Sequence, residues 1–448
     1  MGKGKKAKKK LKRKILKTPG KPEYCLRKAF GFHGRGMLNE SEKWYRLALK
    51  MIPDDGRVQN ALGAVLMEQG RAGEAEEYFE RALRSSLPHI PAWYNLGRLH
   101  QMAGVSDRAL SCYRFLLEAM PDFGPAWNNA GILYRETGRL DEAVSCLKKA
   151  VKYSPGMAEA WNNLGVVQED LGLLTDAQTS YRTALKIRPD YLSAHYNLAV
   201  ILQKNGDFEE AGQHYREILK IDPEDPSARF MLQSLGGEDQ PEFAPAEHVR
   251  KVFDECALIF DQLLVGRLDY RTPELLFEVL EPYLTRDMKI LDLGCGTGLG
   301  SRLYRPFAEK LVGVDISEKM LEKAAEKGTY DSLVSLDILT DWNLSMGFDL
   351  IYSADVFVYI GGLNRIFSSA YACIRPGGII GFSAELLEGG GQGGYRLKRS
   401  GRYAHSLEYV KGVLNSCGFR LLDIVEGVHL RQEAGSPVKG FLVAAQRR

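Results

Sequence analysis

No apolar run in this chain approaches the ~20 residues that a membrane-spanning helix needs. At 448 residues with 45% hydrophobic side chains it reads as a water-soluble protein of two or three domains. Its seven cysteines stand singly, at 25, 112, 146, 256, 295, 373 and 417, without one Cys-x-x-Cys pair. That pattern argues against structural zinc or any other metal site and for a reducing, cytoplasmic setting. The first 22 residues lack acid altogether, yet they hold eleven of the 60 Lys and Arg residues. The remainder therefore carries 49 basic against 57 acidic side chains. No apolar segment follows the basic stretch, so it is not a secretory signal. Residues 1–22 read as a basic disordered tail, either a solubilising extension or a handle for an anionic partner such as nucleic acid or a membrane surface.

From about position 21 to 229 the sequence repeats every 34 residues. Trp93, Trp127 and Trp161 are 34 apart, and Gln59 and His195 continue the register. Leu62, Leu96, Ala130, Leu164 and Leu198 follow three residues later, and then Gly63, Gly97, Gly131, Gly165 and Ala199. Ala75, Ala109, Ala143, Ala177 and Ala211 occupy a later position, each followed after four residues by Phe79, Tyr113, Leu147, Tyr181 or Tyr215. Pro121, Pro155, Pro189 and Pro223 close the units, and Tyr45, Ala48 and Pro53 fit a degenerate first one. Small residues at fixed places let paired helices approach, large ones fill the gap, and proline stops each pair. The tryptophans are expected to fill the core.

This period and pattern resemble the tetratricopeptide repeat. The resemblance implies an all-α superhelix of six units over residues 23–235, with 227–235 as a capping helix. It also places Asn95, Asn129, Asn163 and Asn197, each two residues after the tryptophan register, on the concave face of the array. A carboxamide both donates and accepts, so such a ladder could bind an extended peptide backbone from a protein or peptide partner. Solvation, or capping of neighbouring turns, is the plainer alternative. Residues 236–246, rich in Gly, Pro and charge, read as a linker.

The rest of the chain is organised around Ile-Leu-Asp-Leu-Gly-Cys-Gly-Thr-Gly at 290–298. A buried strand there ends in Asp292, and Gly294, Gly296 and Gly298 leave room for backbone to approach a ligand. A helix is expected to start near Leu299 and to aim its free N–H groups at that ligand. The glycine spacing departs from the Gly-x-Gly-x-x-Gly of dinucleotide folds. A second apolar strand ends at Asp315 and a third at Asp337. A fourth covers 348–353, and a fifth follows the Arg-Pro-Gly-Gly turn at 375–378.

In that order these features resemble a class I S-adenosylmethionine-dependent methyltransferase. The resemblance implies an α/β Rossmann-like domain over residues 247–448, with a seven-stranded sheet whose final strand is antiparallel. It implies that Asp292 helps to hold the amino group of the cofactor's methionyl part. Gly294, Cys295, Gly296 and Gly298 would bring backbone against S-adenosylmethionine, Asp315 would accept both ribose hydroxyls, and Asp337 would receive the adenine amino group, with Ile316 or Ile338 against the ring. Helices ahead of the first strand (249–264) suit a lid, and Tyr270 could touch the methionine end or simply pack.

Ala354 to Tyr359 would face the acceptor, with Asp355 and Tyr359 as candidate catalytic residues. No Asn-Pro-Pro-Tyr motif is present, which argues against adenine-N6 or glutamine-N acceptors. A glycine-rich loop (388–394) precedes Arg396, Lys398, Arg399 and Arg402, cations that favour an anionic acceptor. His405 beside Tyr403 is the candidate general base, or else a cap of the helix beginning at Ser406. The expected protein is a methyltransferase whose repeats recruit the acceptor. Two alternatives are a small-molecule (quinone, lipid or metabolite) methyltransferase docked to an assembly by its repeats, and a non-catalytic repeat scaffold.

Overall fold

The computed structural model describes residues 21–236, 240–258, 260–261, 270–344, 347–388, 393–433 and 436–448. Most of the basic tail (1–20), the end of the 249–264 segment and residues 389–392 of the glycine-rich loop lie outside the described residues. The chain divides into two compact units, Met1–Ile187 and Arg188–Arg448.

The first unit is a series of helix pairs: Pro22–His33 with Leu38–Met51, Gly56–Glu68 with Ala72–Arg84, Ala92–Met102 with Ser106–Ala119, Gly124–Glu136 with Leu140–Tyr153, and Ala158–Asp170 with Leu174–Ile187. The cause of the pairing is steric. A Cβ on Gly63 would meet the Phe79 ring at 2.6 Å, one on Gly97 the Tyr113 ring at 2.6 Å, one on Gly131 the Leu147 side chain at 2.6 Å, and one on Gly165 the Tyr181 ring at 2.5 Å. Glycine in the first helix is thus the space into which the large residue of the second helix fits. Ala75, Ala109, Ala143 and Ala177 are fully buried at the same crossings.

The tryptophan register does something more specific than filling the core. These rings are only half-buried. Trp127 Nε1 donates to the Pro121 carbonyl at 2.8 Å, Trp161 Nε1 to the Pro155 carbonyl at 3.0 Å, and Gln59 Nε2 to the Pro53 carbonyl at 2.8 Å. Each bond spans six residues and satisfies a carbonyl of the turn that ends the preceding pair.

The second unit opens with a sixth pair, Leu192–Asn205 with Phe208–Ile221, and the helix Pro226–Ser234. The carbonyl device recurs here with other donors, His195 Nε2 to Pro189 at 2.8 Å and an Arg229 Nη to Pro223 at 2.7 Å. Seven strands then make one sheet: β1 (Met288–Leu293), β2 (Ala308–Asp315), β3 (Ser332–Ser335), β4 (Phe348–Ser353), β5 (Ile374–Glu385), β8 (Phe419–Glu433) and β9 (Ser436–Arg447). Their order is β3-β2-β1-β4-β5-β9-β8. β9 runs antiparallel to both neighbours, while β1 to β5 are parallel. One apolar layer, including Leu291, Ile351, Phe367 and Phe382, lies on one face, and a second, including Ile290, Leu350, Leu280 and Leu442, on the other. Between β5 and β8, after the glycine-rich loop, the chain adds a short hairpin, β6 (Tyr395–Leu397) with β7 (Tyr403–His405).

The helix expected near Leu299 begins at Ser301 and lasts four residues, because a 3₁₀ turn, Arg305–Phe307, takes over. Replacing Trp127 with Phe keeps a six-membered aromatic ring and removes the donor together with the pyrrole half of the indole. That change should lower unfolding stability by about 0.5–1 kcal/mol, read as the urea midpoint. An unchanged midpoint would mean that the Pro121 carbonyl does not need this partner.

Candidate active site

The carboxyl ends of β1, β2 and β4 and the turn after β3 open on one cavity in the second unit. Its lining includes Tyr270, Asp292, Gly294, Cys295, Gly296, Asp315, Ile316, Asp337, Ile338, Asp355 and Tyr359, so most of the residues read from the sequence are brought together. Gly298 is not in the lining; a Cβ there would strike the Tyr330 ring at 2.8 Å. The three glycines have φ of +76°, +52° and +79°. A Cβ on Gly294 would collide with Val356 at 2.4 Å, whereas one on Gly296 would meet only the Phe260 ring, at 3.8 Å. At Gly296, therefore, the backbone faces the cavity itself.

Asp292 is buried, and the hydroxyls of Tyr330 (2.7 Å) and Tyr352 both donate to its Oδ2. Burial pushes its pKa up to about 7; the two hydroxyls pull against that shift and Asp315 adds to it. Asp315 accepts the Gly296 N–H at 2.8 Å and the Ser317 N–H at 2.9 Å, and its pKa too is raised by burial, against those backbone bonds. Asp337 accepts the Leu339 N–H at 2.9 Å. Burial holds the Cys295 thiol protonated, well above its usual range.

The segment ahead of β1 is tied to this rim through three of its residues. Asp254 accepts from the Ser317 hydroxyl at 2.6 Å. Asp261 accepts from the Thr297 hydroxyl and pairs with Lys327 at 2.8 Å. Arg250 reaches the Ile316 carbonyl at 3.4 Å. Sequence reading missed Tyr330, Asp254, Asp261 and Lys327, because only the folded chain brings them to the glycine turn.

Beyond β4 the floor changes character. Asp355 sits at φ +60°, a conformation that non-glycine residues adopt at a cost of about 1–3 kcal/mol, and donates its N–H to Ser383 Oγ at 2.7 Å. Arg431 of β8 bonds Asp355 at 2.6 Å and also Glu385, whose other oxygen meets Lys398 at 2.8 Å. Arg431 and Glu385 are almost fully buried. Burial alone would raise the Glu385 pKa, but Arg431, Lys398 and Arg402 hold it below the usual range. Nothing local in the sequence marks Arg431 for this role.

His405 does not line the cavity. It is fully buried in β7, and its Nε2 donates to the Ile360 and Gly361 carbonyls at 2.8 and 3.1 Å. Burial depresses its pKa to about 4, so it is a neutral donor near pH 7 rather than a ready base. Nor does it cap the following helix, since Ser406 takes that position and accepts from Tyr409 N–H. Of the four cations expected to face an acceptor, only Arg402 lines the cavity; Arg396 is exposed, Lys398 turns to Glu385, and Arg399 lies over the Phe208 ring at 4.5 Å.

In the first unit the asparagine ladder is already bonded. Asn95 donates to Asn60 at 2.9 Å, Asn163 to Asn128 at 2.9 Å and Asn129 to the Tyr113 hydroxyl at 3.2 Å. Asn197, half-buried, lies in the second unit.

Comparison with known proteins finds both repeat and methyltransferase matches. Residues 290–378 match the methyltransferase-domain family, and residues 94–145, 128–191 and 169–226 match the tetratricopeptide repeat. Residues 41–99 also match the Est1 DNA/RNA binding domain. The chain carries tetratricopeptide repeats and a methyltransferase domain. Its relatives include the malonyl-[acyl-carrier protein] O-methyltransferase of Pectobacterium atrosepticum, 33% identical over 102 residues, which are 23% of this chain and 40% of that protein. The trans-aconitate 2-methyltransferase of an Acidovorax species is 33% identical over 93 residues, 20% of this chain and 36% of that protein. The chain thus spans about 40% of the length of these curated relatives. Among solved structures, an S-adenosylmethionine-dependent methyltransferase from Mesorhizobium loti is 23% identical with a TM-score of 0.31, over 38% of this chain and 96% of that one.

S-adenosylmethionine is the cofactor that the methyltransferase domain implies, and the cavity fits it. Backbone at Gly296 opens onto the space, and three carboxylates gather where a cation with a ribose diol would need acceptors. Replacing Arg431 with Met would remove the buried cation that Asp355 and Glu385 share, leaving Glu385 with Lys398. Urea unfolding should show a loss on the order of 3–5 kcal/mol; a loss below about 1 kcal/mol would mean that Asp355 and Glu385 are satisfied by other groups.

Proposed function

We propose that the C-terminal domain transfers a methyl group from S-adenosylmethionine to an acceptor that the repeat array recruits as a protein or peptide. The observation that carries this reading is the convergence of Asp292, Asp315 and Asp337 on one cavity, over a glycine turn whose backbone faces it. In this reading Asp315 binds the ribose hydroxyls and Asp337 the adenine amino group. Ile316 and Ile338 flank the adenine, while Asp292 and Tyr270 meet the methionyl end. The cofactor supplies a methyl group on a sulfonium, already a good leaving group, so the residues of this chain have mainly to align and to exclude water. Asp355 and Tyr359 stand at the acceptor end. The Asn95, Asn129 and Asn163 carboxamides, bonded already on one side, would receive a peptide backbone, and Asn197 holds the same register position in the second unit. The basic tail would add a contact to an anionic partner.

The relatives named for malonyl-[acyl-carrier protein] and trans-aconitate favour a second reading, in which the acceptor is small or carrier-bound and the repeats dock the enzyme.

Calorimetric titration of the full chain with S-adenosylmethionine should show binding that Asp315→Ala loses while its helical circular dichroism is kept. Binding retained by the variant would overturn the ribose assignment, and no binding by the parent protein would favour a non-catalytic scaffold. Affinity should also rise with pH. A cationic ligand stabilises ionised Asp292, so below its pKa of about 7 binding must first expel a proton. Titrations at pH 6 and pH 8 should differ about tenfold, one pH unit's worth of proton release; equal affinities would mean that Asp292 does not meet the cofactor's charge.

A further inference from the structure

From Ile360 to Leu363 the chain belongs to no helix or named strand, yet it is bonded throughout. All five N–H groups from Tyr359 to Leu363 find acceptors. Tyr359 and Ile360 donate to the Val356 and Phe357 carbonyls at 3.1 Å, and Gly361 and Gly362 to the Glu242 carbonyl at 2.8 and 3.1 Å. Leu363 donates to the Tyr409 hydroxyl at 2.9 Å. The Tyr359 carbonyl accepts the Ala244 N–H at 2.9 Å, and the next two carbonyls accept from His405 Nε2. Irregular backbone that is satisfied this fully opens only when those outside partners let go.

Two pieces of chain hold the segment. One is the strap 240–244, which leads from the last helices of the repeats into the domain and meets Ile360 through Phe243 as an isolated antiparallel bridge. A Cβ on Gly362 would overlap the Glu242 side chain. The other is the β6–β7 hairpin. A Cβ on Gly361 would overlap the Tyr395 ring and come within 2.8 Å of the Tyr403 ring. Glycine stands at both places because neighbours approach the backbone that closely.

Strap and hairpin are joined to each other and to the last repeat pair. The Tyr403 hydroxyl donates to the Pro241 carbonyl at 2.6 Å, and the Leu397 N–H to Gln240 Oε1 at 3.0 Å. The Gln203 amide donates to the Arg399 carbonyl, and Arg399 lies over Phe208. Gly401, at φ +77°, lies so close to Met231 that a Cβ would come within 2.8 Å of its sulfur.

His405 adds a contact of its own. Both acceptors at its Nε2 are carbonyls, which carry no proton, so Nε2 bears the hydrogen of the ring. The ring is fully buried, and no group among the described residues meets its Nδ1. A second proton there would lack an acceptor, in keeping with a pKa that burial depresses to about 4. His405 is therefore a fixed donor, aimed at two consecutive carbonyls. Tyr359 and Ile360, at the start of the segment it holds, line the cavity.

We propose that His405 and the strap 240–244 are positioning groups of the acceptor end: together they fix the Tyr359–Leu363 backbone, and through it the Tyr359 ring, without acting on the cofactor end. This rests on the reading above in which Tyr359 stands beside the acceptor. The hydrogen bonds of Asp292, Asp315 and Asp337 involve neither group. One end of the cavity is thus set by the glycine turn and the strand-ending acids, the other by chain that the last helix pair braces. Alignment supplies most of the catalysis in methyl transfer, so loosening this wall impairs transfer while cofactor binding persists.

The test uses the full-length protein and two variants. His405→Phe keeps a buried ring and removes the donor, whereas Gly362→Val pushes the strap away and leaves His405 intact. Each should speed amide hydrogen exchange over 359–364 by about tenfold or more, while the glycine-turn peptide 290–298 keeps the parent rate. A fluorotyrosine placed at 359 should give a fluorine resonance that moves in both variants. It should return toward the parent position in His405→Gln, whose amide can donate in place of Nε2. The Kd for S-adenosylmethionine should stay within about twofold of the parent value, as for independent sites. Unchanged exchange over 359–364 with an unmoved resonance in both variants overturns the proposal. Equal acceleration over 290–298 together with lost cofactor affinity overturns it too, because the two groups would then support the fold at large. Where His405→Phe loses the helical circular dichroism of the parent, Gly362→Val alone decides. A parent protein that binds no cofactor removes the methyltransferase reading instead, and exchange over 359–364 still decides whether strap and histidine hold that segment.

Discussion

Burying a carboxylate costs free energy unless a cation or several donors meet it, and the second unit buries several around one cavity. Asp292 and Asp315 answer the problem with donors, two tyrosine hydroxyls in one case and two backbone N–H groups in the other. Those donors do not offset it entirely, since both pKa values stay above the ordinary range. Such a site is in effect waiting for positive charge. Asp355 and Glu385 answer differently, through Arg431, and their end of the cavity is neutralised by the chain itself. The two ends therefore differ in character: carboxylates held above their ordinary pKa range over the glycine turn, and carboxylates paired to Arg431 beyond β4.

This contrast follows from topology. Parallel strands deliver their carboxyl ends to one edge of the sheet, and the order β3-β2-β1-β4 puts Asp315 and Asp292 side by side there. Arg431 stands near the carboxyl end of β8, which runs in the same direction as β1 to β5 because β9 is antiparallel to both β5 and β8, and so it reaches Asp355 at the same edge. The hairpin β6–β7 fills the remaining side, braced from outside by the last repeat pair. Compactness accordingly divides the chain within the repeats, at Ile187, rather than in the Gly- and Pro-containing stretch near 236–246.

Legibility in the sequence tracked how local each cause was. The 34-residue period, the glycine turn and the strand-ending acids are local patterns, and they led to the helix pairs, the strand ends around the glycine turn and the carboxylates that line the cavity. Strand lengths were harder: β8 runs to Glu433, far beyond the apolar stretch 419–425, because β9 pairs with it along its length. His405 failed as a base for a reason that composition cannot reveal, its position between β6 and β5 with two backbone carbonyls at Nε2. Arg431 was invisible because an arginine late in an alternating strand looks like any solvated cation until its partners, 46 and 76 residues away, are known.

The tryptophan register shows how a pattern can be read correctly and its cause still be missed. Core filling explains a large ring but not why glutamine, histidine and arginine stand at the same place. The common property is an N–H able to reach back six residues to a proline carbonyl, which proline's neighbours in the turn cannot satisfy. Trp93 tests the rule from the other side. The proline there is Pro88, one residue out of step, and Trp93 instead packs on Phe115 with ring centroids 4.9 Å apart. Position in a repeat thus selects for a donor, and ring size is secondary. By the same reasoning, an asparagine ladder that already bonds from one repeat to the next constrains the array's spacing whether or not a peptide lies against it.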